Sequence, residues 1–151
     1  MIDSFFSIRD RCDSSHAGPT YTLCIGRWCP FHEGHKYLVD ALLAGGRKVA
    51  IAIRNSPDEI PIEVRMEMIH AVYVAEVERG DVVLVRIPDI DLVCVGRNVG
   101  YGIMQVPDDI RTISGTEIRA GRQQKVPQAA QEVWDRWHTR QVIPNIKPIA
   151  T

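Results

Sequence analysis

The sequence predicts an α/β fold in which helices cover both faces of an open parallel sheet. The first observation is a set of four apolar runs of strand length, rich in β-branched residues, at residues 21–25, 49–53, 82–85 and 92–95. The second is the helical spacing of apolar residues between the first three runs. Because alternating strands and helices join by right-handed crossovers, we expect the strands to be parallel and buried on both faces.

Each predicted helix carries one apolar stripe that we expect to be core. In the first helix the stripe consists of Leu38, Ala41 and Leu42. In the second it consists of Ile62, Met66, Ile69 and Tyr73. A third helix, near the C-terminus, has a stripe of Ala130, Val133, Trp134 and Trp137. Pro61 and Pro127 suit the first turn of a helix, and Gly45 and Gly80 suit its end.

The bulk properties are those of a single soluble domain. The 151 residues are 45% hydrophobic and 25% charged, with a formal net charge of −1, which gives no support to general nucleic-acid binding. We expect an N-terminal arm at residues 1–19, a domain at 20–126 and a C-terminal helix and tail at 127–151, packed on the domain or on a second subunit of a homo-oligomer. No apolar run approaches a membrane span and no signal peptide is evident, so we expect a cytoplasmic protein without membrane contact.

A first motif, residues 27–35, lies between the first apolar run and the first helical stretch. It contains His32, Gly34 and His35, so a strand delivers two histidines to the start of a helix. Helix N–H groups and the helix dipole attract phosphate there, and Gly34, without a Cβ, allows close approach of a ligand. This pattern predicts a nucleotide-phosphate site. The competing interpretation is a plain helix N-terminus with two solvated imidazoles.

A second motif, residues 113–119, lies far downstream. Ser114 suits an N-cap, Glu117 stands three residues later as in a capping box, and Arg119 follows the first helical turn. The hydroxyls of Ser114 and Thr116, the free N–H groups of the first turn and the Arg119 guanidinium would converge on one anion. Taken alone, the segment is better explained as an ordinary capped helix.

The two motifs together resemble the signatures of the HxGH nucleotidylyltransferase superfamily. His32 to His35 match its first signature, and residues 113–119 match its ISxTxxR pattern. Gly26 and Arg27, before the histidines, and the Ser114-Gly115-Thr116 turn look most like the branch that includes nicotinamide mononucleotide adenylyltransferases. They look less like the cytidylyltransferase-like members of the same superfamily. The resemblance implies a Rossmann-like open sheet of the nucleotidylyltransferase type.

The resemblance also implies roles for individual residues. His32, His35 and Arg119 would be catalytic. Gly26, Arg27 and Gly34 would bind the nucleotide, together with Ser114, Thr116 and Arg119, which would hold the departing phosphates with Mg²⁺. The magnesium ion would be bound mostly by phosphate oxygens and water, with no dedicated protein ligands.

Further candidates come from loops at the strand ends. Gly96 and Arg97 open a glycine-rich loop, residues 96–102, which either approaches the base or ribose or is simply flexible. Arg54 follows the second strand and could grip the phosphate of the acceptor. Arg65 could do the same, but an arginine on an exposed helix face is better explained as solvated.

The cysteines give no metal-site spacing. Cys24 and Cys94, inside apolar runs, are interpreted as core residues. Cys29 lies beside the histidines and could be a partly exposed thiol, although a loop residue without a chemical role is the simpler account.

The predicted activity is transfer of a nucleoside monophosphate, AMP rather than CMP, from ATP or CTP to a small phosphorylated metabolite. The alternatives are a cytidylyltransferase and a nucleotide-binding sensor that does not catalyse. Class I aminoacyl-tRNA synthetases share the HxGH element but need a lysine-rich second signature and a much longer chain. A zinc hydrolase of the HExxH type is excluded because His35 follows His32 by three residues and not four.

Overall fold

The computed structural model describes residues 19–96, 102–104 and 110–142. Its strands are β1 (Tyr21–Gly26), β2 (Lys48–Asn55) and β3 (Val82–Pro88). Its helices are α1 (Glu33–Ala44), α2 (Ile62–Val72), α3 (Val74–Arg79), a short 3₁₀ helix (Ile110–Thr112), α4 (Gly115–Arg119) and α5 (Gln128–Val142).

The three strands form one open parallel sheet in the order β1-β2-β3. Leu23 pairs with Ala50 and Ala50 with Val83, which fixes the register across all three strands. An α/β fold with a parallel sheet is therefore confirmed. So are the first three predicted strands, each of which extends slightly beyond its apolar run.

The predicted fourth strand, residues 92–95, is wrong. This segment has no strand structure, and Leu92, Val93 and Val95 are 77%, 58% and 52% exposed. Cys94 is exposed as well, so its interpretation as a core residue is also wrong. Apolar, β-branched composition favours a strand only where a neighbouring strand offers free N–H and C=O groups. Among the described residues no strand pairs with this segment.

One face of the sheet carries the main core. Val49, Ile51 and Ile53 of β2 are fully buried there. They pack with Val39 and Leu42 of α1, Ile62 and Ile69 of α2, Val82 of β3, and the aromatic residues Trp28, Phe31 and Tyr73. Two right-handed crossovers that step in the same direction place both connecting helices on one side, which explains why this face is the covered one.

The opposite face is open in the part of the chain that the structure describes. Leu23, Ile25, Val83 and Val85 point to it and are 60%, 38%, 37% and 38% exposed. The prediction of helices on both faces is thus not met by the described helices. The apolar stripes of α1 and α2 pack on the same face of the sheet, so they account for one covered face and not for two.

Two helices end at the predicted glycines. Gly45 caps α1, and Gly80, with a left-handed φ of 77°, caps α3. The predicted second helix is in fact two, because the chain bends at Tyr73 between α2 and α3. The Tyr73 hydroxyl donates to Asp40 of α1, and burial together with that carboxylate raises the pKa of Tyr73.

The C-terminal helix α5 packs against α2, as its stripe predicts. Ala130 and Val133 are buried in a second cluster with Ile60 and Met68. Cys29, from the loop after β1, is 6% exposed and belongs to the same cluster, so it is not the partly exposed thiol that the sequence suggested. None of the helices in the described ranges is long and apolar enough to cross a membrane.

Candidate phosphate-binding site

The loop from β1 to α1 is organised around Trp28. This residue has a φ of +54°, a left-handed conformation that costs a non-glycine residue about 1–2 kcal/mol. Its indole N–H donates to the carbonyl oxygen of Ala52 at 2.9 Å, and the ring is 4% exposed. A Cβ on Gly26 would lie 3.1 Å from this ring, so Gly26 leaves room for Trp28. A strained backbone conformation that the surrounding packing maintains is often found at functional sites.

His32 and His35 form a reciprocal cap at the start of α1. The Nδ1 atom of His32 accepts hydrogen bonds from the backbone N–H groups of Gly34 at 3.1 Å and His35 at 3.3 Å. The Nδ1 atom of His35 accepts a hydrogen bond from the backbone N–H group of His32 at 3.3 Å. A neutral imidazole has one acceptor and one donor nitrogen. Since both Nδ1 atoms accept, both histidines carry their proton on Nε2.

The environment keeps both imidazoles neutral. Their rings stack with centroids 3.6 Å apart, and Trp28 and Phe31 lie against the ring of His35. Burial lowers the pKa of His32 from 6.5 to about 4. Burial and then the neighbouring His32 lower the pKa of His35 well below its usual value. Two N–H donors that do not titrate near neutral pH therefore lie side by side.

Both Nε2 atoms remain available to a ligand. The hydrogen bonds that the described residues make to these histidines all use Nδ1 or the backbone. In that part of the chain, Nε1 of Trp134 is the one fully buried side-chain nitrogen or oxygen atom without a hydrogen-bond partner, so neither Nε2 atom is fully buried. Each Nε2–H therefore reaches solvent and can donate to an oxygen atom of a ligand.

The backbone amides of α1, which were expected to attract phosphate, already have protein partners. Those of Gly34 and His35 donate to His32, and that of Glu33 donates to the carbonyl oxygen of Lys125 at 2.6 Å. A Cβ on Gly34 would lie 3.0 Å from the side chain of Ile110, so protein atoms fill the space beside this glycine. A phosphate would meet the imidazoles rather than these amides.

The second motif begins a short helix, but not through the predicted capping box. Ser114 is the N-cap residue of α4 and makes no side-chain cap bond. Its backbone N–H donates to Oε1 of Gln123 at 3.0 Å, and Nε2 of Gln123 donates to the carbonyl oxygen of Thr112. Glu117 pairs with Arg122 instead of the backbone. The hydroxyl of Ser114 is thus not used as a cap.

The structure brings the two motifs into direct contact. The Arg119 guanidinium donates from Nη1 to the carbonyl oxygen of Cys29 in the first motif. A Cβ on Gly115 would lie 2.6 Å from the same oxygen, so α4 approaches this loop as closely as glycine allows. Arg119 also lies 3.4 Å from Oγ1 of Thr116 and 3.6 Å from the Glu59 carboxylate. The two histidines and the second motif, with Thr116 and Arg119, therefore lie at the same edge of the sheet.

Arg65, which was interpreted as solvated, is fully buried, and that prediction is wrong. Its N–H groups donate to four backbone carbonyls, those of Arg27, Arg54, Ser56 and Ile60. The guanidinium thus ties together the chain ends that leave β1 and β2. The helical spacing held the signal, because Arg65 follows Ile62 by three residues and precedes Ile69 by four, which places it on the apolar stripe.

The remaining candidates stand apart to different degrees. Arg27 is half-exposed and pairs with Asp58 at 3.1 Å. Arg54 donates twice to Asp89, at 2.8 and 3.1 Å, and once to the carbonyl oxygen of Ile90, so an acceptor phosphate must compete for it. Gly96 is exposed. Arg97 lies outside the described residues.

The part of the chain that the structure describes contains no group of three histidine, cysteine, aspartate or glutamate side chains arranged to hold a metal ion. Two carboxylates near the arginines of the site already face cations, since Asp58 pairs with Arg27 and Glu59 lies beside Arg119.

A scan against protein-family models, a search of curated proteins and a search of solved structures each find no match to this chain.

Proposed function

We propose that the protein is a nucleotidylyltransferase with a Rossmann-like fold, which transfers a nucleoside monophosphate from a triphosphate to a small phosphorylated acceptor. The observation that carries the proposal is the contact between the two motifs. Arg119 of the second motif is bonded to the loop of the first, whose two stacked histidines keep Nε2–H donors free. A triphosphate has anionic oxygens that suit both sets of donors.

In the proposed step, an oxygen atom of the acceptor phosphate attacks the α-phosphorus of the triphosphate. A new P–O bond forms while the bond from the α-phosphorus to the bridging oxygen breaks, and its electron pair leaves with pyrophosphate. Negative charge shifts onto that bridge and is spread over the oxygens of the transferred group. No covalent enzyme intermediate and no proton transfer by the protein are required.

The histidines would act as neutral hydrogen-bond donors in this step. Because their pKa values are lowered by burial, they do not gain a proton near neutral pH, and their donor geometry is fixed by the caps on Nδ1. Preorganised donors of this kind need no rearrangement as charge develops, and loss of one commonly costs about 10²–10³ in rate.

Arg119 would bind the departing pyrophosphate together with Thr116 and Ser114. A guanidinium has five N–H donors, of which two are engaged in hydrogen bonds here, to Cys29 and Thr116. The side chain is 16% exposed, so it is held in place and still reachable. Mg²⁺ on the triphosphate would neutralise charge on the phosphate oxygens when bound.

The identities of the nucleotide donor and of the acceptor are proposed from other residues. The resemblance of the Gly26-Arg27 opening and the Ser114-Gly115-Thr116 turn favours ATP over CTP. For the acceptor phosphate, Arg27 is the more accessible cation, since Arg54 is held by Asp89 and Ile90.

The test is to incubate the protein with Mg²⁺, each common nucleoside triphosphate and a panel of acceptors that includes nicotinamide mononucleotide, and to measure pyrophosphate. We expect release with ATP. His35→Asn, which keeps a side-chain acceptor for the backbone N–H of His32, should lower the rate at least 10²-fold. The control is His70→Asn on the exposed face of α2, which should leave the rate unchanged.

Each other outcome has a stated meaning. Pyrophosphate release with CTP alone would replace the donor assignment. Tight triphosphate binding without release for any acceptor would support a sensor and contradict the enzyme. An unchanged rate for His35→Asn would remove the histidines from the reaction.

A further inference from the structure

The face of the sheet that the described helices leave uncovered is a shallow apolar trough. We define the open face by six residues: Leu23 and Ile25 of β1, Ala50 and Ala52 of β2, and Val83 and Val85 of β3. The two alanines form the floor along the central strand, where Ala50 is partly exposed and Ala52 is only 2% exposed, and the larger side chains of the outer strands form the walls. With strands about 4.8 Å apart, the walls lie roughly 10 Å from each other.

An apolar surface of this kind favours a cover. All four wall residues are more than a third exposed, and they form one contiguous patch across three strands. Such patches mark contact surfaces, because removing them from water stabilises the covered state. On this face of β2 the two alanines are flanked by charged residues, Lys48 at one end and Arg54 at the other.

We propose that residues 1–18 of this chain cover the open face, with Phe5 and Phe6 seated in the trough. This segment joins β1 through Pro19 and Thr20, and β1 forms one wall. The starting point is fixed, because the Tyr21 hydroxyl donates to the carbonyl oxygen of Gly80 at 2.9 Å. The occupant is therefore tethered beside its site.

The length of the segment is sufficient. Eighteen residues span up to about 60 Å when extended, while a six-residue strand is roughly 20 Å long. A short tether also gives an effective concentration on the order of millimolar, which a separate molecule would have to exceed. These two quantities favour the chain's own segment over a second copy.

The composition of the segment matches the trough. Its apolar residues are concentrated in the first eight positions, as Ile2, Phe5, Phe6 and Ile8, and the rest is mostly polar. Aromatic rings are the side chains that bury the most area, and the partly exposed Ala50 leaves depth for them between the aliphatic walls. The polar part, residues 9–18, is long enough to lead from the wall to the floor.

The test is a double-mutant cycle on the whole chain, with thermal unfolding as the measurement. Phe5→Ala with Phe6→Ala should lower Tm by about 5 °C or more, since two aromatic side chains lose their burial. In a background with Leu23→Ala and Val85→Ala, the same pair should lower Tm by less than half as much, because its contacts are already lost.

Two controls separate this from a general effect. Ser14→Ala with Ser15→Ala, in the same segment, should leave Tm unchanged. Tyr37→Ala on α1, an exposed side chain away from the open face, should not alter the effect of the Phe5 and Phe6 substitutions. If those two substitutions leave Tm unchanged, or lower it equally in both backgrounds, the proposal is wrong.

A second measurement covers the alternative occupant. Sedimentation of the wild type and of Leu23→Asp reports whether the open face joins two copies. A dimer that Leu23→Asp dissociates and that deletion of residues 1–18 leaves intact would assign the face to a second copy and overturn the proposal. We expect a wild type whose oligomeric state does not depend on Leu23. None of these outcomes depends on the proposed enzymatic activity.

Discussion

The chain leaves β1 and β3 at the same edge of the sheet, yet the two exits differ. After β1, the residues Trp28, Phe31 and His32 are all buried. After β3, Leu92 and Val95 are exposed. Both segments are rich in apolar side chains, and the sequence predicts that both belong to the core or the site. The comparison indicates that an apolar loop becomes ordered and buried where distant parts of the chain supply hydrogen-bonding and packing partners.

For the exit of β1, those partners are two arginines from other elements. Arg65 of α2 binds the carbonyl oxygen of Arg27, and Arg119 of α4 binds that of Cys29. Lys125 adds a third link through the backbone N–H of Glu33. The segment after β3 receives one such link among the described residues, from Arg54 to Asp89 and Ile90, and beyond it the side chains are exposed.

The largest expected effect comes from breaking the exit of β1 at its centre. Arg65→Met removes a buried guanidinium and leaves four carbonyl oxygens without their donor, so the free energy of unfolding should fall by about 3–5 kcal/mol. Urea denaturation measures this loss. Arg79→Met, at an exposed position of α3, is the control and should cost less than about 0.5 kcal/mol. Similar losses for both variants would show that Arg65 does not organise the edge.

Acid provides a second way to break the same loop. The folded-state pKa of His32 is about 4 against an ordinary value of 6.5, so the unfolded chain takes up the proton first. The stabilising contribution is complete above pH 6.5 and is lost as the pH falls from 6.5 towards 4, by about 3 kcal/mol in all. Urea denaturation at a series of pH values measures it.

The matched variant for the acid experiment is His32→Asn, which keeps a side-chain oxygen for the backbone N–H groups of Gly34 and His35. Its free energy of unfolding should depend less on pH between 6.5 and 4 than that of the wild type. Parallel curves would mean that His32 is protonated as easily in the folded state as in the unfolded one.

A smaller effect is expected where the two motifs touch. Gly115→Ala places a Cβ 2.6 Å from the carbonyl oxygen of Cys29, so α4 must move away from the loop. We expect a loss of about 1–3 kcal/mol in the free energy of unfolding and at least a tenfold loss of pyrophosphate release. Gln124→Ala, at an exposed position after α4, is the control. A fully active Gly115→Ala protein would show that the contact is not needed.

The smallest effect is expected at the exit of β3. Leu92→Ser replaces an exposed side chain, so the free energy of unfolding should change by less than about 0.5 kcal/mol. Val49→Ser, on the covered face of β2, is the contrasting variant and should cost several times more. A large loss for Leu92→Ser would contradict the difference between the two exits.

Sequence reasoning predicted most of the elements that position the site. Local patterns were sufficient for β1 to β3, α1 and α5, because strand and helix periodicity is read within one element. The exposure of residues 92–95 could not be predicted, because it depends on whether a neighbouring strand is present. The break at Tyr73 was missed for a related reason, since its hydroxyl is fixed by Asp40 from another helix.

The same division holds for the site. His32 and His35 were identified from their spacing, but the fact that each Nδ1 is used by the backbone depends on cap geometry that spacing does not show. Trp28, with its left-handed backbone, had no signal in the sequence. Arg65 did have one, since it lies on the apolar stripe of α2, and a charged residue in such a position requires buried partners.

The central claim is that the two motifs form one site for a triphosphate, with Arg119 on the departing phosphates. Calorimetric titration with a nucleoside triphosphate and with the matching monophosphate tests it most directly, in the wild type, Arg119→Ala and Arg119→Lys. We predict that Arg119→Ala weakens triphosphate binding at least tenfold more than monophosphate binding, and that lysine restores part of the loss because it supplies charge without the paired donors. Equal losses for both nucleotides, or none, would contradict the account.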